Sequence, residues 1–490
     1  MMIFMRIILM IIMAVTGLSA GSQVDFDEFF IDRTMRIDYY HMGNAGNDII
    51  TVDRVYREGV WAGNPDILIE TVNTGRYAVK IYDKKSGTLI YTKGYDSYFG
   101  EYKTTTPALN GIQRVYHESA LIPYPKNKIL FTVEVRDNRN NMNVIFKDAI
   151  DPDSAGIIKE DADSRIEVYE IVKNGNPHKR VDLAIIAEGY TESEREKLQN
   201  DLRHFSEVFF SQEPYQSFKE NFNVYGVFRP SAESGCDEPT HNTYRNTSLN
   251  TTFNSLGSPR YLLTEDNKSL HDIASAVPYD ALLIMVNHER YGGGGIYNFF
   301  LTFTTGNEWS DYVFLHEFGH SFAGLADEYY SSSTAYNDFY PKGIEPVEPN
   351  ITALLDPAKL KWGYMVEKNV PIPTPWDKEE YDQAEIEYQE SRTEINKKIA
   401  EMNRSGAPAE EIKKMQEKAI LLSKENSKKL DALLYHSKYS GKVGAFEGAG
   451  YSSEGLYRPA LDCIMFSKGK KGFCPVCREA IIRTIKYYTE

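Results

Sequence analysis

Positive charge is in short supply in this 490-residue chain: 55 lysines and arginines stand against 70 aspartates and glutamates, for a formal net charge of −15. That balance argues against sequence-independent nucleic-acid binding, which needs basic patches to displace counterions, and against docking onto anionic lipid. The one basic run, from Lys468 to Lys471, is short and broken by Gly469. Long apolar runs are also missing. Beyond the first twenty residues no stretch approaches the ~20 apolar residues that a membrane span needs. Cysteine is sparse, with only Cys236, Cys463, Cys474 and Cys477. None lies near the N-terminus, so a lipoprotein anchor is not supported. Cys474-Pro475-Val476-Cys477 has the spacing of half a zinc ribbon or a redox motif, yet no second cysteine pair or nearby histidine completes a structural zinc site. A local disulfide from Cys463 to Cys474 or Cys477 is the preferred expectation.

Residues 1–20 have the build of a secretory leader. Arg6 supplies the charge, residues 7–15 the apolar stretch, and Leu18-Ser19-Ala20 the small residues ahead of a cut before Gly21. Export to the periplasm or beyond the cell follows as an expectation. The remaining length has room for roughly two or three domains. Short period-two segments separated by turn residues, such as 66–70, 77–82 and 129–135, predict an antiparallel β-sandwich over 21–160, with a linker at 151–156. Nothing in it resembles a catalytic constellation, so it reads as an accessory or positioning domain.

From about residue 165 to 490 the pattern turns α/β. Strands are expected at 181–187, 223–228 and 281–287, and a helix at 192–210 opened by Thr191 with Glu194 three residues on. Four glycines, 292–295, predict a mobile or tightly turned loop before a strand that ends at Phe303. Residues 376–436 are charge-rich and broken by Ser405-Gly406-Ala407-Pro408, which predicts an inserted, exposed helical hairpin with a solvated face.

The chemistry sits in His316-Glu317-Phe318-Gly319-His320. Histidines four apart share one helix face, so both imidazoles can close on one Zn²⁺ at about 2.0–2.1 Å. Glu317 is then placed to take the proton of a zinc-bound water as it attacks a carbonyl. Aromatic and aliphatic residues ahead of the motif, 312–315, predict a buried helix, and Gly324 ends it where the chain must turn back. Asp327 is favoured as the third metal ligand, with Glu328 its direct competitor.

This segment resembles the metzincin pattern, in which a third ligand and a methionine turn follow the two histidines. Here the glycine lies four residues after His320 rather than three, and Asp327 seven rather than six. Asp462-Cys463-Ile464-Met465 resembles the methionine turn, with Met465 an apolar floor beneath the metal. The resemblance narrows to the bacterial IgA peptidases. It rests on Ala187-Glu188-Gly189-Tyr190-Thr191, Glu233-Ser234-Gly235-Cys236-Asp237, Tyr291-Gly292-Gly293-Gly294 and Leu325-Ala326-Asp327-Glu328-Tyr329. Further matches are Phe446-Glu447-Gly448-Ala449-Gly450-Tyr451, Gly455-Leu456-Tyr457-Arg458-Pro459 and Phe473-Cys474-Pro475-Val476-Cys477. The sandwich is similar to the domain found ahead of some members' peptidase domain.

The resemblance implies a multidomain α+β protein with a zincin-type catalytic domain, one catalytic Zn²⁺ and endopeptidase activity on protein or peptide substrates. It implies no particular substrate, and the oligomeric state stays open. Tyr451 or Tyr457 could stabilise an oxyanion or simply pack, Arg458 could orient a substrate carboxylate or pair with an acid, and His288 reads as a surface histidine. The strand at 297–303 is the expected rail for an extended peptide. Two other classes stay in view: a glycan- or protein-binding protein whose peptidase domain is degenerate, and a zinc hydrolase acting on a non-peptide amide.

Overall fold

The computed structural model describes residues 24–159, 163–330, 340–469 and 471–490. The expected leader, 1–20, lies outside the described residues. No helix among them is long and apolar enough to cross a membrane.

The N-terminal part holds seven strands: β1 (Phe30–Asn44), β2 (Asn47–Arg57), β3 (Tyr77–Asp83), β4 (Leu89–Tyr95), β5 (Arg114–Pro125), β6 (Ile129–Arg136) and β7 (Met142–Ile150). Three short helices accompany them, α1 (Phe26–Phe29), α2 (Tyr98–Lys103) and α3 (Thr106–Leu109). They form two antiparallel sheets, β2-β1-β5 and β4-β3-β6-β7. In β3 the burial alternates residue by residue, Tyr77, Val79 and Ile81 pointing inward. These residues meet Met35, Ile37 and Tyr39 of β1 and Ile122 of β5 in one core between the sheets. That is the two-layer arrangement the alternation predicts. The expected linker is not loose, because Ile158 returns to pair with β2 through Val55 and Arg57.

A six-stranded sheet follows, in the order β12-β13-β11-β9-β10-β8. Its strands are β8 (Glu167–Val172), β9 (Val181–Glu188), β10 (Phe222–Phe228), β11 (Ala281–Val286), β12 (Gly293–Ile296) and β13 (Phe300–Thr304). The four inner strands run parallel and the two outer ones antiparallel. Strands β9 and β11 are buried throughout because both faces are covered. On one face Leu183, Ile185 and Leu283 meet α4 (Arg195–Ser211) and α6 (Ser310–Ala323). On the other, Ala184, Ile186 and Ile284 meet α5 (Asn267–Ala274) and also Tyr98, Phe99 and Tyr102 of α2. The N-terminal part thus completes the burial of the six-stranded sheet. Thr191 and Glu194 form the expected capping box ahead of α4.

Two sequence expectations need correction here. The glycine run is the edge strand β12, not a loop. Its lack of side chains lets the strand lie against α6: a Cβ on Gly295 would sit 2.4 Å from the Glu317 carbonyl oxygen, and one on Gly293 2.5 Å from Val313. Residues 297–299 then form the turn into β13, with Asn298 at a positive φ of 50°. The outermost strand of the sheet is therefore β12 rather than 297–303, and Tyr261 bridges it at Gly293. Gly295→Ala is expected to cost about 1–3 kcal/mol in urea unfolding, because the clash is with backbone that cannot rotate away.

The hairpin is present as α7 (Lys378–Ser405) and α8 (Ala409–His436), turning at Gly406 with a left-handed φ of 70°. It is less exposed than its composition suggests. Tyr381 and Ala384 of α7, with Leu430 and Leu434 of α8, are buried in the main core. The chain ends in the hairpin β14 (Phe446–Ala449) and β15 (Ser452–Arg458), and in α9 (Pro475–Thr489).

Candidate metal centre

Helix α6 is buried on nearly every side. Gly324 closes it in the left-handed conformation (φ 59°), and the Gly324 and Leu325 N–H groups turn back to the His320 and Gly319 carbonyls. This reversal carries Asp327 back beneath the helix. Its Oδ1 lies 3.0 Å from His316 Nε2 and 3.2 Å from His320 Nε2, while the two Nε2 atoms are 3.1 Å apart. The other ring nitrogens are engaged: His316 Nδ1 is 2.9 Å from the Ile464 carbonyl and His320 Nδ1 2.6 Å from the Leu325 carbonyl. Since a carbonyl can only accept, both Nδ1 atoms carry the proton and both Nε2 lone pairs aim at the Asp327 carboxylate.

Three electron-pair donors converging without a donor hydrogen among them require a cation. With bonds of about 2.0–2.1 Å, a tetrahedral zinc ion would separate its ligands by about 3.3 Å. The observed 3.0–3.2 Å triangle fits. A proton serves the same purpose in the bare chain. Burial works against the charged imidazole of His320, but Asp327 outweighs it and lifts the group to about 9. Burial likewise works against the Asp327 carboxylate, and His320 and His316 hold it well below its usual range all the same.

Glu317 lines the same cleft from the next position on α6. Burial raises its pKa in spite of the two histidines. Met465 is fully buried, and its sulfur lies 2.9 Å from where a Cβ on Gly319 would be, so the glycine admits the methionine beneath the helix. The Met465 carbonyl accepts from Glu328 N–H at 2.9 Å. Tyr451 donates from its hydroxyl to Asp327 Oδ2. Tyr457 lies elsewhere, its hydroxyl 3.4 Å from Glu447 Oε1, and it does not line the cleft. Arg458 is wholly buried, bonded to the Gly448 carbonyl and stacked 3.9 Å from Phe466, so it faces no substrate. His288 pairs with Glu238 at 3.1 Å. Glu328 does not join the histidines but points to the cysteines, with Cys477 Sγ 3.1 Å from its Oε1.

Several cleft residues carried no readable sequence signal. Arg260, half-buried, is held charged by Tyr329, Tyr291 and Asp327 against the effect of burial. Tyr329, by contrast, closes a motif read from the sequence, and its ring is nearly parallel to His316 at 6.1 Å. Tyr388 and Arg392 come from α7, and Arg76 and Arg136 from the N-terminal part. That part also fastens the rim: Asn298 Nδ2 donates to Gly94 O at 2.7 Å, and Asp96 N–H to Tyr297 O at 2.9 Å. The motifs read from the sequence also meet away from the two histidines. A Cβ on Gly189 would lie 2.0 Å from Gly235 O, and buried Glu188 gathers Thr247, Ser248, Leu249 and Thr251 by hydrogen bonds of 2.6–3.1 Å.

Two imidazoles and a carboxylate at the floor of a cleft, flanked by a free carboxylate, make the working set of a metal-dependent hydrolase. Comparison with known families agrees. The chain matches the family described as IgA Peptidase M64 over residues 169–485 and that described as Peptidase M64 N-terminus over 25–147, and it belongs to this family of metallopeptidases. It is accordingly an enzyme that hydrolyses peptide bonds. A search of curated proteins found no match.

Proposed function

We propose that the chain is an exported, zinc-dependent endopeptidase of metzincin-like build, with His316, His320 and Asp327 as metal ligands and Glu317 as general base. The convergence of the three ligand atoms within 3.0–3.2 Å carries this reading. Zinc, when bound, supplies a Lewis acid that brings a coordinated water's pKa to about 7 and polarises a peptide carbonyl. Glu317 accepts the proton of the attacking water and delivers it to the leaving amine. Burial raises its pKa, the direction that makes its carboxylate the stronger base.

Tyr451 acts through Asp327, fixing the carboxylate by its hydroxyl, and is a positioning residue rather than an oxyanion donor. Met465 is the apolar floor. The edge strand β12 aligns an extended substrate between α7 and the N-terminal rim. The leader-like residues 1–20 support export.

Treatment with a zinc chelator is expected to abolish cleavage of an unfolded protein substrate, and added zinc to restore it. The products should be internal fragments, with small non-peptide amides left intact. Undiminished cleavage by metal-free protein would contradict the reading.

A further inference from the structure

A second cluster lies behind the first, on the other side of the 327–328 peptide. Glu328, Cys463, Cys474 and Cys477 are all buried, and one ligand atom from each falls within 4.8 Å of all the others. The sequence expectation of a local disulfide is not met: all four cysteines of the chain are free, and the Cys463 and Cys477 sulfurs are 3.9 Å apart. A tetrahedral zinc ion with Zn–S bonds of about 2.3 Å would hold two sulfurs about 3.8 Å apart. The ligand that a three-cysteine set lacks, not visible from sequence spacing, is Glu328.

From this arrangement we infer a structural zinc site, ligated by Cys463, Cys474, Cys477 and Glu328 and separate from the catalytic centre. Three further observations support it. Glu328 is fully buried, and its Oε2 has no hydrogen-bond partner among the described residues, a costly state for a carboxylate oxygen unless a cation meets it. Backbone N–H groups point at the sulfurs, Cys474 N to Cys463 Sγ at 3.3 Å and Cys477 N to Cys474 Sγ at 3.5 Å, at the N-terminal end of the 15-residue helix α9. Such N–H donors are the outer contacts that orient and hold metal-bound sulfurs. The buried guanidinium of Arg458 acts on Glu328 by charge and offsets part of the excess negative charge of three thiolates and a carboxylate. Zinc binding displaces the thiol protons to solvent, so the site fills with proton release and no redox partner.

The position gives the ion a purpose. It ties together the segment that carries Asp327, the turn whose Ile464 carbonyl orients His316 and whose Met465 carbonyl holds Glu328 N–H, and the start of α9. A closed four-ligand site there braces the backbone from which the catalytic ligands project.

The test uses full-length protein carrying His320→Ala, which empties the first site. After dialysis against zinc it should retain one zinc per chain, and X-ray absorption at the zinc edge should show sulfur neighbours at about 2.3 Å. Cobalt in its place should give the intense near-ultraviolet sulfur-to-cobalt charge-transfer band. Adding Cys477→Ser should abolish the remaining metal and lower the melting temperature; if that variant does not fold, the absorption spectrum of His320→Ala alone decides. A metal-free His320→Ala protein, zinc without sulfur neighbours, or a disulfide joining Cys463 to Cys474 or Cys477 in peptide mass mapping would each overturn the site. Wild-type protein whose only zinc is sulfur-ligated would instead overturn the catalytic reading and leave this one standing.

Discussion

Glu317→Gln is expected to lower kcat on a protein substrate by about 10²–10⁴-fold, with KM and metal content little changed. The glutamine keeps the size of the side chain and its place on the cleft side of α6, but it cannot accept a proton. Burial already disfavours a charge there, so the neutral amide should fit without unfolding the helix. Steady-state kinetics beside elemental analysis separates this from a folding defect. A kcat within a few-fold of wild type would remove Glu317 from the chemistry.

Asp327→Ala should act at a different step and at least as strongly. Its carboxylate faces both histidines and receives the Tyr451 hydroxyl, all in a buried setting. Removing it leaves two imidazole lone pairs 3.1 Å apart with nothing between them. Deleting one member of a buried charged set costs about 3–5 kcal/mol. Zinc content should fall by one ion per chain, activity should drop to background, and the melting temperature should fall with them. Retention of full metal content would return the third-ligand role to another residue.

The sequence carried the site further than it carried the surroundings. His316, Glu317 and His320 are legible because a helix repeats its face every three to four residues. Asp327 is legible as one of two adjacent carboxylates. The choice between them rests on the turn at Gly324, which sends Asp327 toward the histidines and Glu328 toward the cysteines. Neighbours along a chain in extended backbone point opposite ways, and spacing alone does not say which way each points.

Strands β3, β6, β9, β10, β11 and β13 follow from period-two patterns and buried runs, whereas residues 66–70, read the same way, hold only the single bridge of Ile69 to Thr92. The glycine run misled because glycine in isolation signals freedom, whereas here it answers to the close approach of α6. The helical hairpin misled by composition. Charge dominates its outer faces, and the residues of both helices that line the cleft, Tyr388, Arg392 and Asn426 among them, are hidden within that composition. Arg260 and the N-terminal rim had no signal at all, since long-range tertiary contact brings them to the cleft and a single sequence does not record such contact.

Zinc at the two histidines and Asp327 is best sought in a crystal of the zinc-loaded protein, with diffraction data collected on both sides of the zinc absorption edge. An edge-dependent anomalous peak is expected within bonding distance of His316 Nε2, His320 Nε2 and Asp327 Oδ1. No such peak in a preparation that still cleaves protein would contradict that placement.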